Sequence, residues 1–346
     1  MERILIFGAG LAGTCLAHQF LRRGREVLLV DAGENHSSSI AAGMVNPMVF
    51  RRMNKSWRLD EFMPDAQAFY QEISQEIGED LFHPIVIRRF FSSEQERQLW
   101  SERQEMTEYK AYLNPISSED LSHAGAHNTF GSGRIKNAFW IDAEKWVAQN
   151  MAYFEQRGML LREAFDPESW QAAHKTYRNC TYDKVIFCLG YQQKSEGTFS
   201  YLPLQQTKGQ TLLIKSSDIL EKESLNRKCF VLPLGHQQFR VGATYEWNND
   251  SLDTTDEARS QLIEMLASLG SYNYEILEQK AGVRPTVLDR RPLIGEHPFY
   301  QGVFIFNGLG TKGYMMAPTL AKELVAHILD QTPLHPETEI KRFTAI

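Results

Sequence analysis

The stretch ERILIFGAGLAGTCLAHQFLRRGREVLLVDAG, residues 2–33, decides the fold. It begins with the apolar run 4–7, which is typical of a strand buried on both faces of a parallel sheet. Apolar residues then recur at helical spacing up to Gly24, and a second apolar run, 27–30, ends at Asp31. Between the first strand and the helix stand three glycines with the spacing G-x-G-x-x-G, Gly8, Gly10 and Gly13. The order strand, glycine turn, helix, strand and acid predicts a βαβ unit.

Each part of this unit has a physical role in holding a dinucleotide. Gly8 permits a tight turn, Gly10 allows a pyrophosphate to approach the backbone, and Gly13 allows the helix to pack closely on the strand. The first helical turn offers N–H groups and a partial positive charge to the phosphates. Asp31 can accept hydrogen bonds from the ribose hydroxyls of an adenosine. The stretch therefore predicts a dinucleotide-binding site.

Length and composition limit the class of protein. The chain has 346 residues, 42% of them hydrophobic and 23% charged, which predicts a globular protein large enough for two domains. Its net charge of −6 argues against nucleic acid or an anionic membrane as a partner, so we expect a small-molecule substrate. Four cysteines are scattered without a C-x-x-C pair, which favours a reducing cytoplasm and no metal site. No apolar stretch is long enough for a membrane span, and no leader-like pattern precedes the first strand.

The chain departs from a simple dinucleotide fold directly after Asp31. A loop of small residues, 37–44, takes the place of the next strand, and a charged, helical region, 60–121, follows it. An amphipathic helix begins after Asp142, and the buried strand 184–188 resumes the βαβ pattern. We therefore expect the nucleotide-binding domain to be interrupted in sequence.

The second half of the chain contains an alternating region and a second glycine bend. Residues 202–284 contain strand patterns that favour an antiparallel sheet. The final stretch, 302–329, repeats the order strand, glycine loop and helix. This repetition suggests that a second bend contacts another part of the same ligand.

These motifs together resemble the flavin-dependent amine and amino-acid oxidoreductases of the D-amino-acid oxidase, glycine oxidase and sarcosine oxidase type. The resemblance covers most of the chain and is weakest over 60–121. Besides the N-terminal glycines, it is strongest in SSSIAAGMVNP (37–47), GATYEW (242–247), AGVRPTVLDRRPLIG (281–295) and NGLGTKGYMMAP (307–318).

The resemblance implies an α/β fold in which a Rossmann-type FAD-binding domain is interrupted by an α+β substrate domain with a mainly antiparallel sheet. Residues 1–51, 143–199 and 284–346 would form the first domain, and residues 52–142 and 200–283 the second. It also implies noncovalent FAD, because RPTVLD offers no cysteine for attachment. The implied FAD contacts are Gly8, Gly10, Leu11, Ala12, Gly13, Asp31, Ala32, Ser38, Ser39, Ala42, Gly43, Met44, Phe165, Gly190, Arg284, Gly308, Leu309, Gly310, Thr311, Lys312 and Gly313.

The residues expected to handle the substrate are Arg284, Lys312 and Tyr245. Arg284 matches the arginine that binds the substrate carboxylate in the glycine oxidase branch, and its planar fork suits a carboxylate. Its structural alternative is an ion pair with Asp289 or Glu278. Lys312 is expected to hold a carboxylate or to stabilise superoxide, and its alternative is a solvent-facing lysine. Tyr245 either lines the substrate pocket with Trp247 or packs on a half-buried strand.

The expected reaction is oxidation of the C–N bond of a small amino acid or secondary amine. We expect this substrate to carry a carboxylate. Hydride transfer to flavin needs no strong side-chain base, so the protein mainly orients and desolvates the substrate. The alternatives are a flavin dehydrogenase of a 2-hydroxy acid, a flavoprotein related to tRNA modification, and a flavin-binding protein without turnover. Sequence does not indicate the oligomeric state.

Overall fold

The computed structural model describes residues 2–34, 37–116 and 125–343, and the side chain of residue 51 lies outside the described part. The α-helices of the described residues are α1 (Leu11–Arg22), α2 (Ser37–Ile40), α3 (Leu59–Ile77), α4 (Glu94–Glu105), α5 (Ala143–Gln156), α6 (Asp256–Leu269) and α7 (Gly313–Asp330).

The β-strands are short in the first half of the chain and long in the second. They are β1 (Ile4–Phe7), β2 (Val27–Val30), β3 (Met44–Val45), β4 (Met48–Val49), β5 (Asn54–Lys55), β6 (Phe82–Phe90), β7 (Ser132–Ile141), β8 (Leu160–Leu161), β9 (Trp170–Gln171), β10 (Thr176–Tyr177), β11 (Cys180–Thr181), β12 (Lys184–Phe187), β13 (Leu204–Lys215), β14 (Glu223–Asn226), β15 (Phe230–Gly235), β16 (Gln238–Gly242), β17 (Glu246–Trp247), β18 (Glu275–Val287), β19 (Leu293–Glu296) and β20 (Val303–Asn307).

A six-stranded sheet carries the dinucleotide motif, in the order β19-β20-β12-β1-β2-β8. Its pairs are parallel from β20 to β8, and β19 is antiparallel to β20. All four residues of β1 are buried, as the unbroken apolar run predicts. β2 pairs with one edge of β1 and β12 pairs with the other edge. The direction in which successive strands are added to the sheet therefore reverses at β1. A crevice at the carboxyl ends of such strands is the usual ligand site of an open α/β sheet.

A nine-stranded sheet forms the second layer, with the path β17-β13-β16-β15-β14-β6-β7-β3 and β18 paired to β13. Its pairs are antiparallel except for β14 with β6. The pairing of β13 with β18 is its longest, from Leu204 opposite Val287 to Lys215 opposite Glu275. This register places residues 60 or more positions apart in sequence directly beside each other, and it builds one wall of the site.

Local patterns predicted most elements correctly. The strand 27–30 is confirmed, and Asp142 caps α5 by accepting a hydrogen bond from the Lys145 N–H at 3.1 Å. The short strand β8, at Leu160–Leu161, extends the parallel sheet beyond β2.

The expected domain boundaries fall close to the division between the two sheets, with two differences. The boundary between 283 and 284 lies inside β18, which runs without a break from Glu275 to Val287. The first segment, 1–51, includes β3, which pairs with β7 in the larger sheet. The division into two domains stays a prediction.

Within 2–34, 37–116 and 125–343, no helix is both long and apolar enough to cross a membrane. The four cysteines are free thiols, with Cys180 exposed and the others buried.

Candidate active site

A cavity of about 810 Å³ lies at the carboxyl ends of β1 and β12, between the two sheets. Residues from both glycine bends line it, as do residues of β13 and β18. The predicted site residues that line the cavity are Gly8, Gly10, Leu11, Ala12, Asp31, Ala32, Ser38, Ala42, Gly43, Met44, Phe165, Gly190, Tyr245, Arg284, Leu309, Gly310, Thr311, Lys312 and Gly313.

The three N-terminal glycines have distinct surroundings. Gly8 has φ +99°, and a Cβ there would lie 2.5 Å from the Cys188 carbonyl oxygen. A Cβ on Gly13 would lie 1.8 Å from the Gly8 carbonyl oxygen, so helix and strand touch at this point. Around Gly10, the Ser38 Oγ at 3.2 Å is the nearest atom to such a Cβ. Gly8 and Gly13 therefore serve the turn and the packing, and Gly10 presents its backbone to the cavity that it lines.

Asp31 and Ser38 contact the same turn from opposite sides. The Asp31 carboxylate accepts hydrogen bonds from the N–H groups of Ala9 at 2.6 Å and Gly33 at 2.7 Å. The Leu11 N–H, in the first turn of α1, donates to the Ser38 Oγ at 2.9 Å. The first-turn N–H groups have no partner within the helix, so this end of α1 presents donors and a partial positive charge to the cavity.

The second glycine bend lies against the first. A Cβ on Gly313 would approach the Leu11 Cδ2 to 3.0 Å. The Asn307 side-chain amide donates to the Gly190 carbonyl at 2.9 Å, and the Gly310 N–H donates to the Pro285 carbonyl at 2.9 Å. These contacts bring the bend after β20 next to the bend after β1. α7 begins at Gly313, as expected, with its N-terminal end beside the cavity.

Gly310 and Gly43 leave the cavity wall bare of side chains for different reasons. Gly310 has φ +56°, which favours glycine, and a Cβ there would make ordinary van der Waals contact with the Thr286 Cγ2 at 3.8 Å. Gly43 has φ +66°, and a Cβ there would lie 1.9 Å from the Ile141 carbonyl oxygen. The 42–44 segment is therefore pressed against β7, and its other side faces the cavity.

Gly13, Ser39 and Gly308 are predicted site residues that do not line the cavity. Gly308 lies behind the wall, where a Cβ would meet the Val287 Cγ2 at 2.8 Å. Its predicted contact with the flavin, like that of Ser39, stays a prediction.

Arg284 faces the cavity without a carboxylate partner among the described residues. Asp289, one expected partner, pairs with Arg342 at 3.0 Å, and Glu278, the other, pairs with Lys280 at 3.3 Å. Arg284 has one long hydrogen bond, from Nη1 to the Thr244 carbonyl at 3.5 Å. Burial lowers the pKa of its guanidinium below the ordinary value. A desolvated cation that lacks an anion is energetically costly, so this position favours an anionic ligand.

The space that Arg284 occupies exists because residue 209 is glycine. Gly209 lies in β13, two residues from Thr207, which stands opposite Arg284 in the sheet register. A Cβ on Gly209 would lie 2.2 Å from Nη2, 2.3 Å from Nη1 and 2.5 Å from Cζ of Arg284. The guanidinium therefore lies directly against the β13 backbone. Sequence reasoning missed Gly209.

Lys312 is not the solvent-facing lysine that was its alternative. Its ammonium donates to the Asn46 carbonyl at 2.8 Å and to the Ser56 Oγ at 2.6 Å. Its remaining exposure is to the cavity that it lines. Burial lowers the pKa of this ammonium to about 8. Lys312 thus presents a fixed charge beside the N-terminal end of α7.

Tyr245 lines the cavity and Trp247 stands outside it. Their ring centroids are 5.0 Å apart, so the two side chains lie on the same side of the chain as predicted. Phe230 also lines the cavity. Its ring packs against Gly242, where a Cβ would lie 2.7 Å from Cζ of Phe230.

These features are those of a Rossmann-type fold with two cationic side chains, Arg284 and Lys312, at the cavity. The model of the FAD dependent oxidoreductase family, DAO, matches residues 3–327. The chain therefore belongs to the DAO family of FAD-dependent oxidoreductases.

Solved structures and curated relatives agree with this family. The crystal structure of glycine oxidase from Geobacillus kaustophilus has a TM-score of 0.82, 19% identity and 96% coverage of both chains. That of iminodiacetate oxidase from Chelativorans sp. BNC1 has a TM-score of 0.79, 18% identity, and coverage of 97% and 98%. Glycine oxidase of Pseudomonas aeruginosa is 24% identical over 96% of each chain.

A second group of relatives carries a different name. The tRNA 5-methylaminomethyl-2-thiouridine biosynthesis bifunctional protein MnmC of Saccharophagus degradans is 21% identical over 96% of this chain and 54% of its own length. The chain spans just over half the length of the bifunctional relatives that it matches.

The residues present fit FAD. Gly10 and Gly310 line the cavity in the two adjacent bends, so the backbone there is accessible to a ligand without an intervening side chain. The N–H donors at the start of α1 would hold the pyrophosphate, and the Asp31 carboxylate, which lines the cavity, would accept hydrogen bonds from the ribose hydroxyls. The 42–44 segment and the start of α7 also line the cavity and would hold the flavin ring.

Proposed function

We propose that this chain oxidises the C–N bond of a small amino acid or secondary amine that carries a carboxylate, with noncovalent FAD. The observation that carries the proposal is the Arg284 guanidinium, which is partly buried, faces the cavity and lacks an anionic partner among the described residues. A carboxylate would supply the missing charge through two parallel charge-assisted hydrogen bonds.

Arg284 orients the substrate and Lys312 sets the field around it. A carboxylate fixed by a planar fork can rotate little, so the rest of the substrate has a defined direction in the cavity. Lys312 and the N-terminal end of α7 add positive potential, which favours negative charge that develops nearby. Bound FAD supplies the hydride acceptor.

No described side chain needs to remove a proton from carbon in this reaction. The substrate amine binds in its neutral form, the Cα–H leaves as hydride, and the amine N–H proton passes to water. The imine that results is hydrolysed in solution. The cavity wall contributes by excluding water and by holding the Cα–H in one place.

The lack of a cysteine in RPTVLD supports noncovalent attachment of FAD. We expect acid denaturation to release the flavin from the purified protein, which should be yellow. A colourless protein without nucleotide would contradict the assignment of this cavity.

Arg284→Ala tests the proposal. We expect the KM for the carboxylate substrate to rise by about 10- to 100-fold, since hydrogen bonds to charged groups contribute about 1.5–3 kcal/mol. FAD occupancy should stay at the wild-type level, and Arg284→Lys should recover part of the loss. Loss of FAD from Arg284→Ala would show instead that the arginine is structural.

A panel of candidate substrates distinguishes C–N oxidation from the alternative, oxidation of a 2-hydroxy acid. Glycine, sarcosine and larger amino acids are mixed anaerobically with the FAD-loaded protein, and flavin absorbance is followed. Bleaching by an amine-bearing carboxylate supports C–N oxidation. Bleaching only by 2-hydroxy acids would assign the same arginine to a hydroxy-acid dehydrogenase.

A second candidate substrate is an amine carried on tRNA. The relatives named for 5-methylaminomethyl-2-thiouridine biosynthesis favour it, because a methylaminomethyl group contains a C–N bond of the same kind. The net charge of −6 opposes it. Flavin reduction by modified tRNA, with no reduction by free amino acids, would select this candidate. A cytoplasmic location fits either substrate.

A further inference from the structure

The aromatic pair Tyr245 and Trp247 has an unusual environment. Each side chain is 46% exposed, and the rings meet edge to face at 5.0 Å and 74°. By contrast, Trp100 and Trp146 are fully buried. Exposed aromatic surface next to a ligand cavity is a common feature of recognition sites.

The fold does not need either ring at this place. Trp247 lies in the two-residue strand β17, which is held to β13 through its backbone opposite Thr207. Within the described part of the chain, neither the Tyr245 hydroxyl nor the Trp247 indole N–H has a hydrogen-bond partner. Both polar groups and part of both ring surfaces are therefore available to a ligand.

The pair forms a continuous path from solvent to Arg284. Tyr245 lines the cavity, and the Arg284 Cζ lies 5.5 Å from the centroid of its ring. Trp247 does not line the cavity but contacts Tyr245 from outside. A ligand whose carboxylate is bound by Arg284 would extend past Tyr245 toward Trp247.

We propose that Tyr245 and Trp247 form a subsite for a planar aromatic substituent of the substrate. The substrate class is then a carboxylate-bearing amine with an aromatic ring a few bonds from the nitrogen, larger than glycine or sarcosine. This subsite rests on the proposed function for the role of Arg284, and it adds a preference that Arg284 alone does not give.

The test measures binding, so that it does not depend on turnover. The probes are (methylthio)acetate and (benzylthio)acetate, in which sulfur replaces the amine and only the ring differs. Each is titrated into the FAD-loaded protein, and the dissociation constant is read from the change in flavin absorbance. We expect (benzylthio)acetate to bind about tenfold more tightly, from ring stacking and the burial of apolar surface.

Substitutions test whether Tyr245 and Trp247 cause the preference for (benzylthio)acetate. Trp247→Ala should remove most of the ratio between the two dissociation constants, and Trp247→Phe should retain part of it. Phe299→Ala is the matched control, because Phe299 is an aromatic residue that is 86% exposed and does not line the cavity. In Phe299→Ala, the ratio of the two dissociation constants should equal that of the wild type.

Three results would overturn the subsite: equal affinities for the two thioethers, a preference that survives in Trp247→Ala, or no absorbance change with either probe. The proposed function fails separately. If both thioethers bind with the expected ratio while no amino acid bleaches the flavin, the subsite stands and C–N oxidation does not.

Discussion

Replacing Gly209 with alanine tests how the protein positions Arg284. The new Cβ would lie 2.2 Å from Nη2 and 2.5 Å from Cζ of Arg284, well inside van der Waals contact. Because the guanidinium is the end of a flexible side chain and the β13 backbone is held by long sheet pairing, the guanidinium should move. One long hydrogen bond and a cation–π contact with the Tyr245 ring hold it, and both are weak, so moving it should cost little folding stability.

The expected consequence falls on substrate binding. A bidentate pair requires both N–H groups in one plane with the carboxylate, and a displacement of about 1 Å breaks at least one bond. Loss of one such bond, at about 1.5–3 kcal/mol, corresponds to an increase in the substrate dissociation constant of about 10- to 100-fold. The melting temperature and the FAD content should remain close to the wild-type values.

The assay is anaerobic stopped-flow reduction of the flavin at varied substrate concentration. Gly197→Ala is the matched control, since no atom lies within 4 Å of a Cβ at that position. Wild-type affinity in Gly209→Ala would refute the reasoning that Arg284 binds the carboxylate from its observed position. Loss of folding in this variant would show that the β13 backbone, and not the guanidinium, is displaced.

Two further changes probe the ends of the cavity. Burial places the pKa of Lys312 at about 8, so its charge is present below that pH and is lost above it. We therefore expect the affinity of the free enzyme for a carboxylate ligand to fall as pH rises through this pKa, and Lys312→Arg to move the loss to higher pH. An affinity of the wild type that does not change with pH would contradict the role of the charge. Gly13→Ala places a Cβ 1.8 Å from the Gly8 carbonyl oxygen, so the backbone must move. We expect the free energy of unfolding, measured in urea, to fall by about 1–3 kcal/mol, and FAD to bind more weakly. An unchanged unfolding midpoint would contradict the packing role of Gly13.

Local sequence patterns were sufficient for the parts of the fold that depend on neighbouring residues. The glycine spacing after β1 predicted the turn, the exposed backbone at Gly10 and the acid at Asp31, because all three follow from one βαβ unit. The second bend, at Gly310, followed from the same pattern near the other end of the chain. That the two bends touch, through Leu11 and Gly313, is a property of the packed structure.

The features that sequence missed depend on contacts between distant residues. Gly209 makes space for Arg284, but its role appears only once the register of β13 with β18 is known. Lys312 looked as if it could be exposed on a loop, yet Asn46 and Ser56, more than 250 positions earlier, enclose its ammonium. Burial of a side chain by residues that are distant in sequence cannot be predicted from the local sequence around that side chain.

The most direct test of the central claim is a crystal structure of the FAD-loaded protein with (methylthio)acetate. We predict one dinucleotide that extends from Asp31 to the 42–44 segment through both glycine bends, and a carboxylate within hydrogen-bond distance of the Arg284 guanidinium. A flavin bound away from Gly10 and Gly310, or a carboxylate bound elsewhere while Arg284 stays unpaired, would contradict the account.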